Sequence, residues 1–144
     1  MTVKGEYEES GNDWHLERVR RILQTGTTDS VTVFDRPVIL VTMLGAKSGK
    51  VRKIPLMRVE HDGAFAAVAS KGGAPDNPGW YGNLVKHPEV DVQDGTQTGA
   101  YRARELQGAE RDAWWARCVE AYPPYADYQT KTSRLIPVFA LERA

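Results

Sequence analysis

The sequence predicts a mainly β domain of the α+β class, with about six antiparallel strands closed into a small barrel and three or four short helices. Three observations predict it. The apolar, β-branched runs are joined by hairpin-length turns instead of long crossovers, which favours an antiparallel sheet. Helical spacing is confined to short segments between those runs. The 144 residues can bury about two-thirds of their unfolded surface in one core without disulfides or metals.

Residues 1–12 are polar and acidic and read as a flexible lead-in, leaving 13–144 as a single domain. Asp13 is expected to cap a helix whose apolar positions Leu16, Val19, Ile22 and Leu23 form one buried stripe, with Gly26 as its stop. Trp14 with Arg18, Arg20 and Arg21 could instead lie on a membrane surface, but Glu17 and the short length favour packing on the core. After Pro37, VILVTML is a strand, GAKSGK a turn and VRKIPLMRVE a second strand, bulged or at an edge because of Pro55. His61, Asp62 and Gly63 turn the chain into AFAAVAS, so 37–70 reads as a three-stranded meander. Pro78 is expected to open a short helix through WYGNLVKH that Pro88 closes. EVDVQ and TGAYRARELQ give a second hairpin, residues 109–122 a helix, and LIPVFALE the last strand.

Composition excludes several functions. Nineteen basic and nineteen acidic residues leave no net charge, so nucleic acid is not an expected partner and any anion site must come from local clustering. One cluster stands out: Arg36, Lys47, Lys50, Arg52, Lys53 and Arg58 follow one another without an intervening carboxylate. The single cysteine, Cys118, fits a reducing cytoplasm and reads as a buried small hydrophobe. No apolar run is long enough for a membrane span, and no signal-peptide pattern opens the chain. His15, His61 and His87 lie in unrelated contexts without ligand spacing, so no metal is expected. GxSxG is absent, which leaves hydrolysis without support.

Three segments could carry chemistry. In GAKSGKVRKIPL, Gly45 and Gly49 permit a tight turn while Lys47, Ser48, Lys50 and Arg52 offer donors, an anion cradle in outline although a solvated hairpin would read alike. In ASKGGAPDNPGWYGNL, the Ser70 hydroxyl, Lys71, the flexible Gly72 and Gly73, and then Trp80, Tyr81 and Asn83 suit a polar heterocycle, although a structured loop with Trp80 plugging the core fits equally. In AYPPYADYQ, Tyr122, Tyr125 and Tyr128 recur every third residue, which lines phenols along one side of a helical turn where they can stack on a flat substrate or donate a proton.

The same three segments, TMLGAKSGKVRKIPL, VASKGGAPDNPGWYGNL with HPEVDVQ, and AYPPYADYQTKTSRLIPV, resemble in order and spacing the deazaflavin-dependent nitroreductase family of actinobacteria, which includes F420H2-dependent quinone reductases. The resemblance spans Val38 to Leu141. It implies a split β-barrel similar to FMN-binding barrels, with coenzyme F420 in a groove. It implies that Lys47, Ser48, Arg52 and Lys71, helped by amides around Gly72 and Gly73, hold the phosphate and polyglutamate tail. Pro55, Ala69, Trp80 and Asn83 are then expected along the body of the cofactor, with Ser70, Tyr122, Tyr125 and Tyr128 facing the acceptor. The protein contribution expected is alignment at roughly 3–3.5 Å and stabilisation of the anion formed as hydride arrives. Familiar members carry tyrosine where this chain has Met57, which points from bicyclic nitroimidazoles towards quinones as acceptors, with nitroaromatics behind them. The acidic leader differs from the amphipathic leaders of some relatives, which places the chain mainly in the cytoplasm, with peripheral contact at the inner membrane face left open. It is expected as a monomer or homodimer. Two other readings remain: a non-catalytic deazaflavin or flavin carrier, and an FMN-dependent split-barrel enzyme.

Overall fold

The computed structural model describes residues 2–144. Seven strands form one sheet: β1 (Val38–Leu44), β2 (Val51–Met57), β3 (Glu60–His61), β4 (Ala64–Val68), β5 (Glu89–Asp94), β6 (Gln97–Glu105) and β7 (Val138–Arg143). Their order is β2-β1-β5-β6-β7-β4-β3, every pairing antiparallel. The sheet curls into a split half-barrel and carries four helices, α1 (Asp13–Thr25), α2 (Trp80–Lys86), α3 (Gly108–Ala121) and α4 (Pro124–Thr130).

Burial on both faces explains why the inner strands read as continuous apolar runs instead of alternating ones. Successive side chains point to opposite faces, so Val38 and Leu40 of β1 join a core under α1, α3 and α4, while Ile39, Val41 and Met43 join a second core that contains Trp80 and Leu84 of α2. Strand β7 divides likewise, with Val138 and Ala140 on one side and Phe139 and Leu141 on the other. Cys118, fully buried, belongs to the first core.

Several expectations need correction. Residues 37–70 do not make a meander: β4 pairs with β7, matching Ala66 to Ala140 and Val68 to Val138, and not with β2. Arg58 and Val59 interrupt the run read as one strand, and the β3–β4 hairpin so released joins the opposite end of the sheet. That detour adds a seventh, two-residue strand. Pro55 sits at the edge, as expected, but in unbroken register opposite Leu40 and without a bulge. Asn12, not Asp13, caps α1, its Oδ1 accepting the His15 N–H at 3.0 Å. Leu23 is 51% exposed and outside the buried stripe. Helix α2 begins at Trp80, with Pro78 contributing only the carbonyl that accepts the Tyr81 N–H, and β7 begins at Val138, after Pro137, which has no N–H to give the ladder.

The leading residues lie along this frame. The Thr2 and Val3 N–H groups donate to the buried Asp91 carboxylate at 3.0 and 2.8 Å. Glu6 and Glu8 exchange backbone hydrogen bonds with Val51 on the outer edge of β2. Among the described residues, no helix is long and apolar enough to cross a membrane, and no group of three or more His, Cys, Asp or Glu could hold a metal ion.

Candidate functional site

A groove of two joined compartments runs between the β1–β2 turn, the loop after β4 and the mouths of α1 and α4. The first, about 630 Å³, is bordered by Lys47, Ser48, Arg52 and Asn83 on one side and by Glu8 and Ser10 on the other. The second, about 370 Å³, is walled by Pro55, Met57, Ser70 and the three tyrosines. Asn12, His15, Lys71, Pro78 and Trp80 border both, so the two hollows adjoin.

The β1–β2 turn is fastened from outside. Asn83 of α2 accepts the Ala46 N–H on its Oδ1 at 2.8 Å, and Lys86 donates from Nζ to the Ala46 carbonyl at 2.9 Å. This holds Lys47 and Ser48 over the first compartment, and Asn83 is therefore a turn anchor as well as a wall. The basic run read in the sequence is dispersed. Lys53 donates to Thr42, Arg58 forks onto Asp94, and Arg36 reaches the Ala121 carbonyl. Lys50 stands 4.0 Å from both Glu6 and Glu8 instead of lining the groove. Arg52 does line it, but its Nη1 donates to the Glu8 carboxylate at 3.0 Å. Of that run, then, only Lys47 and Arg52 border the groove, joined there by Lys71 from the next loop.

The loop after β4 is held by Arg134. Its guanidinium donates to the carbonyls of Ala69, Ser70 and Ala74 at 3.1, 2.8 and 2.9 Å, and to Asn77 Oδ1 at 2.8 Å. One planar fork thereby fixes both ends of the segment that carries Ser70, Lys71 and Gly72 into the second compartment. Four residues expected at the cofactor do not line the groove: Gly49, Lys50, Ala69 and Gly73. Ala69 is fully buried. The Gly73 N–H is committed to the Ser70 carbonyl at 2.9 Å, and Gly73 itself packs against the Tyr128 backbone.

The tyrosine spacing is met by two elements. Tyr122 caps α3, and Tyr125 and Tyr128 sit on α4, which Pro124 opens. The Tyr122 and Tyr128 hydroxyls share a hydrogen bond of 2.8 Å, and Tyr125 meets both rings edge-on. Burial pushes the Tyr128 phenol up to about 12, aided by the Tyr122 hydrogen bond, and burial raises Tyr125 well above the ordinary phenol range. Both hold their protons at neutral pH and can act as donors. His15 is shifted the other way, lowered first by burial and then by Arg18, so it is neutral where the compartments meet.

Sequence reasoning missed Glu8, Asn12, His15, Trp14, Phe34 and Arg134 at this site. Asn12 carried a cap signal that Asp13 obscured. Phe34 and Arg134 carried none, since their roles depend on partners distant in sequence.

The chain matches the family model described as F420H(2)-dependent quinone reductase over residues 14–143. It is 36% identical over 110 residues to an F420H(2)-dependent quinone reductase of Mycobacterium tuberculosis, covering 74% of each chain. A solved structure of an F420-H2 dependent reductase, FDR-A, is 60% identical with a TM-score of 0.71, covering 78% of this chain and 99% of that one. Another, described as a domain-swapped dimer, is 59% identical with a TM-score of 0.73, covering 92% and 100%.

Proposed function

The chain belongs to the F420H(2)-dependent quinone reductase family, and from that premise we propose that it reduces quinones with hydride taken from reduced F420. The observation that carries the reading is the adjacency of the two compartments: a cationic, hydroxyl-bearing one shares a border of five residues with an apolar, phenol-lined one. An elongated cofactor with an anionic tail and a flat redox ring needs that polarity gradient.

When bound, such a cofactor supplies a hydride from its ring carbon. The chain supplies everything else. Lys47, Ser48 and Lys71 bind the phosphate and carboxylates through charge-assisted hydrogen bonds, each worth roughly 1.5–3 kcal/mol before screening at the exposed mouth. Arg52 contributes after its carboxylate partner Glu8 yields to the incoming anion. Pro55 and Trp80 form the apolar floor and wall that orient the ring and exclude water. Tyr128, protonated at neutral pH, donates to the acceptor oxygen on which negative charge accumulates, held in place by its hydrogen bond to Tyr122; being partly exposed, it recovers its proton from solvent. Ser70 offers a second donor in the same compartment.

Met57, buried and on the wall of the acceptor compartment, gives an apolar surface to the acceptor. That favours quinones, with nitroaromatic compounds as poorer acceptors. The relative described as a domain-swapped dimer supports a homodimeric assembly. Mixing the chain with reduced F420 and menadione tests the function: the absorbance of the reduced cofactor should be lost catalytically. Tight binding without its oxidation would favour a carrier, and preferential binding of FMN in direct competition would favour a flavin enzyme.

A further inference from the structure

Residues 33–36 form a two-residue hairpin in which Val33 and Arg36 exchange backbone hydrogen bonds at 2.9 and 3.0 Å. Its two central residues, Phe34 and Asp35, have φ of +49° and +63°. Turns of this kind favour Asn-Gly or Asp-Gly, because a side chain with Cβ pays steric strain in the left-handed region and a bulky ring pays most. The phenylalanine does not recover that cost by burial, since it is 58% exposed. A residue that violates its local backbone preference and still leaves more than half its surface in solvent points to a role outside folding.

Its surroundings define the role. The Phe34 ring stacks on Tyr122, centroids 5.7 Å apart and 11° from parallel, and Trp14 follows at 6.0 Å. All three line the acceptor compartment. Arg36 locks the arrangement: it donates to the Phe34 carbonyl at 3.0 Å and to the Ala121 carbonyl at 3.3 Å, with its guanidinium 5.1 Å from the Tyr122 ring centroid. The hairpin is thereby tied to the end of α3 beside the tyrosines, and the ring extends their aromatic surface outward by one ring.

We infer that Phe34 is a specificity-determining residue of the acceptor site, an outer aromatic wall that selects planar two-ring acceptors of the naphthoquinone type over single-ring ones. This rests on the proposed quinone-reducing function. A one-ring acceptor is covered by Tyr122 and Tyr128 alone, whereas the second ring of a larger one reaches beyond them and needs Phe34.

The test compares Phe34→Asn, Phe34→Tyr and Asp35→Gly with the wild-type chain, using menadione and p-benzoquinone. Asn tolerates the left-handed region, so Phe34→Asn should keep or raise Tm while raising KM for menadione roughly tenfold. KM for p-benzoquinone and the affinity for F420 should change less than about twofold. Phe34→Tyr retains the wall and should keep the wild-type KM, and Asp35→Gly relaxes the hairpin without touching the ring and should keep it also. Unchanged menadione KM in Phe34→Asn, or an equal rise in Asp35→Gly, would overturn the inference while leaving the proposed function standing. Menadione affinity measured by quenching of protein fluorescence gives a readout independent of turnover. If the wild-type chain bound menadione without reducing it, the proposed function would fail, and the same affinity ratio between variants would still decide the role of Phe34.

Discussion

Substituting Gly72 and Gly73 separately with alanine distinguishes a cofactor-facing glycine from a packing glycine within one loop. Both have left-handed φ, +63° and +83°, so alanine at either position costs about 1 kcal/mol of backbone strain. They differ in space. A Cβ at Gly72 meets nothing within 4 Å, whereas at Gly73 it would lie 2.6 Å from the Tyr128 carbonyl oxygen and 3.0 Å from Lys131 Cβ. Ordinary contact begins at 3.4 Å, so α4 or the loop must retreat by roughly 0.8 Å, an overpacking strain of about 1–3 kcal/mol. At about 3 °C of Tm per kcal/mol for a chain of this size, Gly72→Ala should lower Tm by about 3 °C and Gly73→Ala by about 6–12 °C. Displacing the Tyr128 backbone should also lower kcat in Gly73→Ala more than it weakens F420 binding. Differential scanning fluorimetry and steady-state kinetics read both effects. Equal Tm values and equal kcat in the two variants would refute the claim that Gly73 sets the distance between the loop and α4.

Other outcomes follow from the same geometry. Glu8→Gln removes the carboxylate that occupies Arg52 and should tighten F420 binding about two- to fivefold, the scale of one partly exposed ion pair; fluorescence titration showing unchanged or weaker binding would place Arg52 outside the anion site. Tyr128→Phe should lower kcat while leaving F420 affinity within about twofold, whereas equal loss of both would put that phenol against the cofactor. Burial pushes the Cys118 thiol up from 9.0 to about 12, so the unfolded chain releases that proton first. The thiol's contribution to stability is therefore intact below pH 9 and declines as pH rises towards 12, by up to about 1.4 kcal/mol per pH unit. Tm measured from pH 7 to 11 should fall above pH 9, and a flat profile would contradict the buried, unpartnered thiol.

The legible part of the fold was the part encoded locally. Val38–Leu44, the β5–β6 hairpin and the helix through Trp114 and Cys118 each follow from a run of fewer than twenty residues whose spacing matches one element. The order of strands was not legible, because a hairpin-length turn makes β2 the local candidate for pairing with AFAAV, whereas its partner β7 lies about seventy residues later, and nothing local points to it. Site residues divided on the same line. Lys47, Ser48 and Ser70 stand in turns whose composition advertises exposed donors, and the tyrosines announce themselves by spacing. Lys50 and Gly73 look equivalent to their neighbours in sequence, but the end of the β1–β2 turn leaves Lys50 beside Glu6 and Glu8, and the loop turns Gly73 onto Tyr128. Arg134 was hidden because its four acceptors lie about sixty residues earlier.

A crystal structure with oxidised F420 bound tests the central claim most directly. The account predicts phosphate and tail carboxylates within hydrogen-bonding distance of Lys47, Ser48 and Lys71, Glu8 released from Arg52, and the flat ring seated between Pro55, Trp80 and the tyrosine hollow. A cofactor bound elsewhere, or one whose ring points away from Tyr122 and Tyr128, would contradict it.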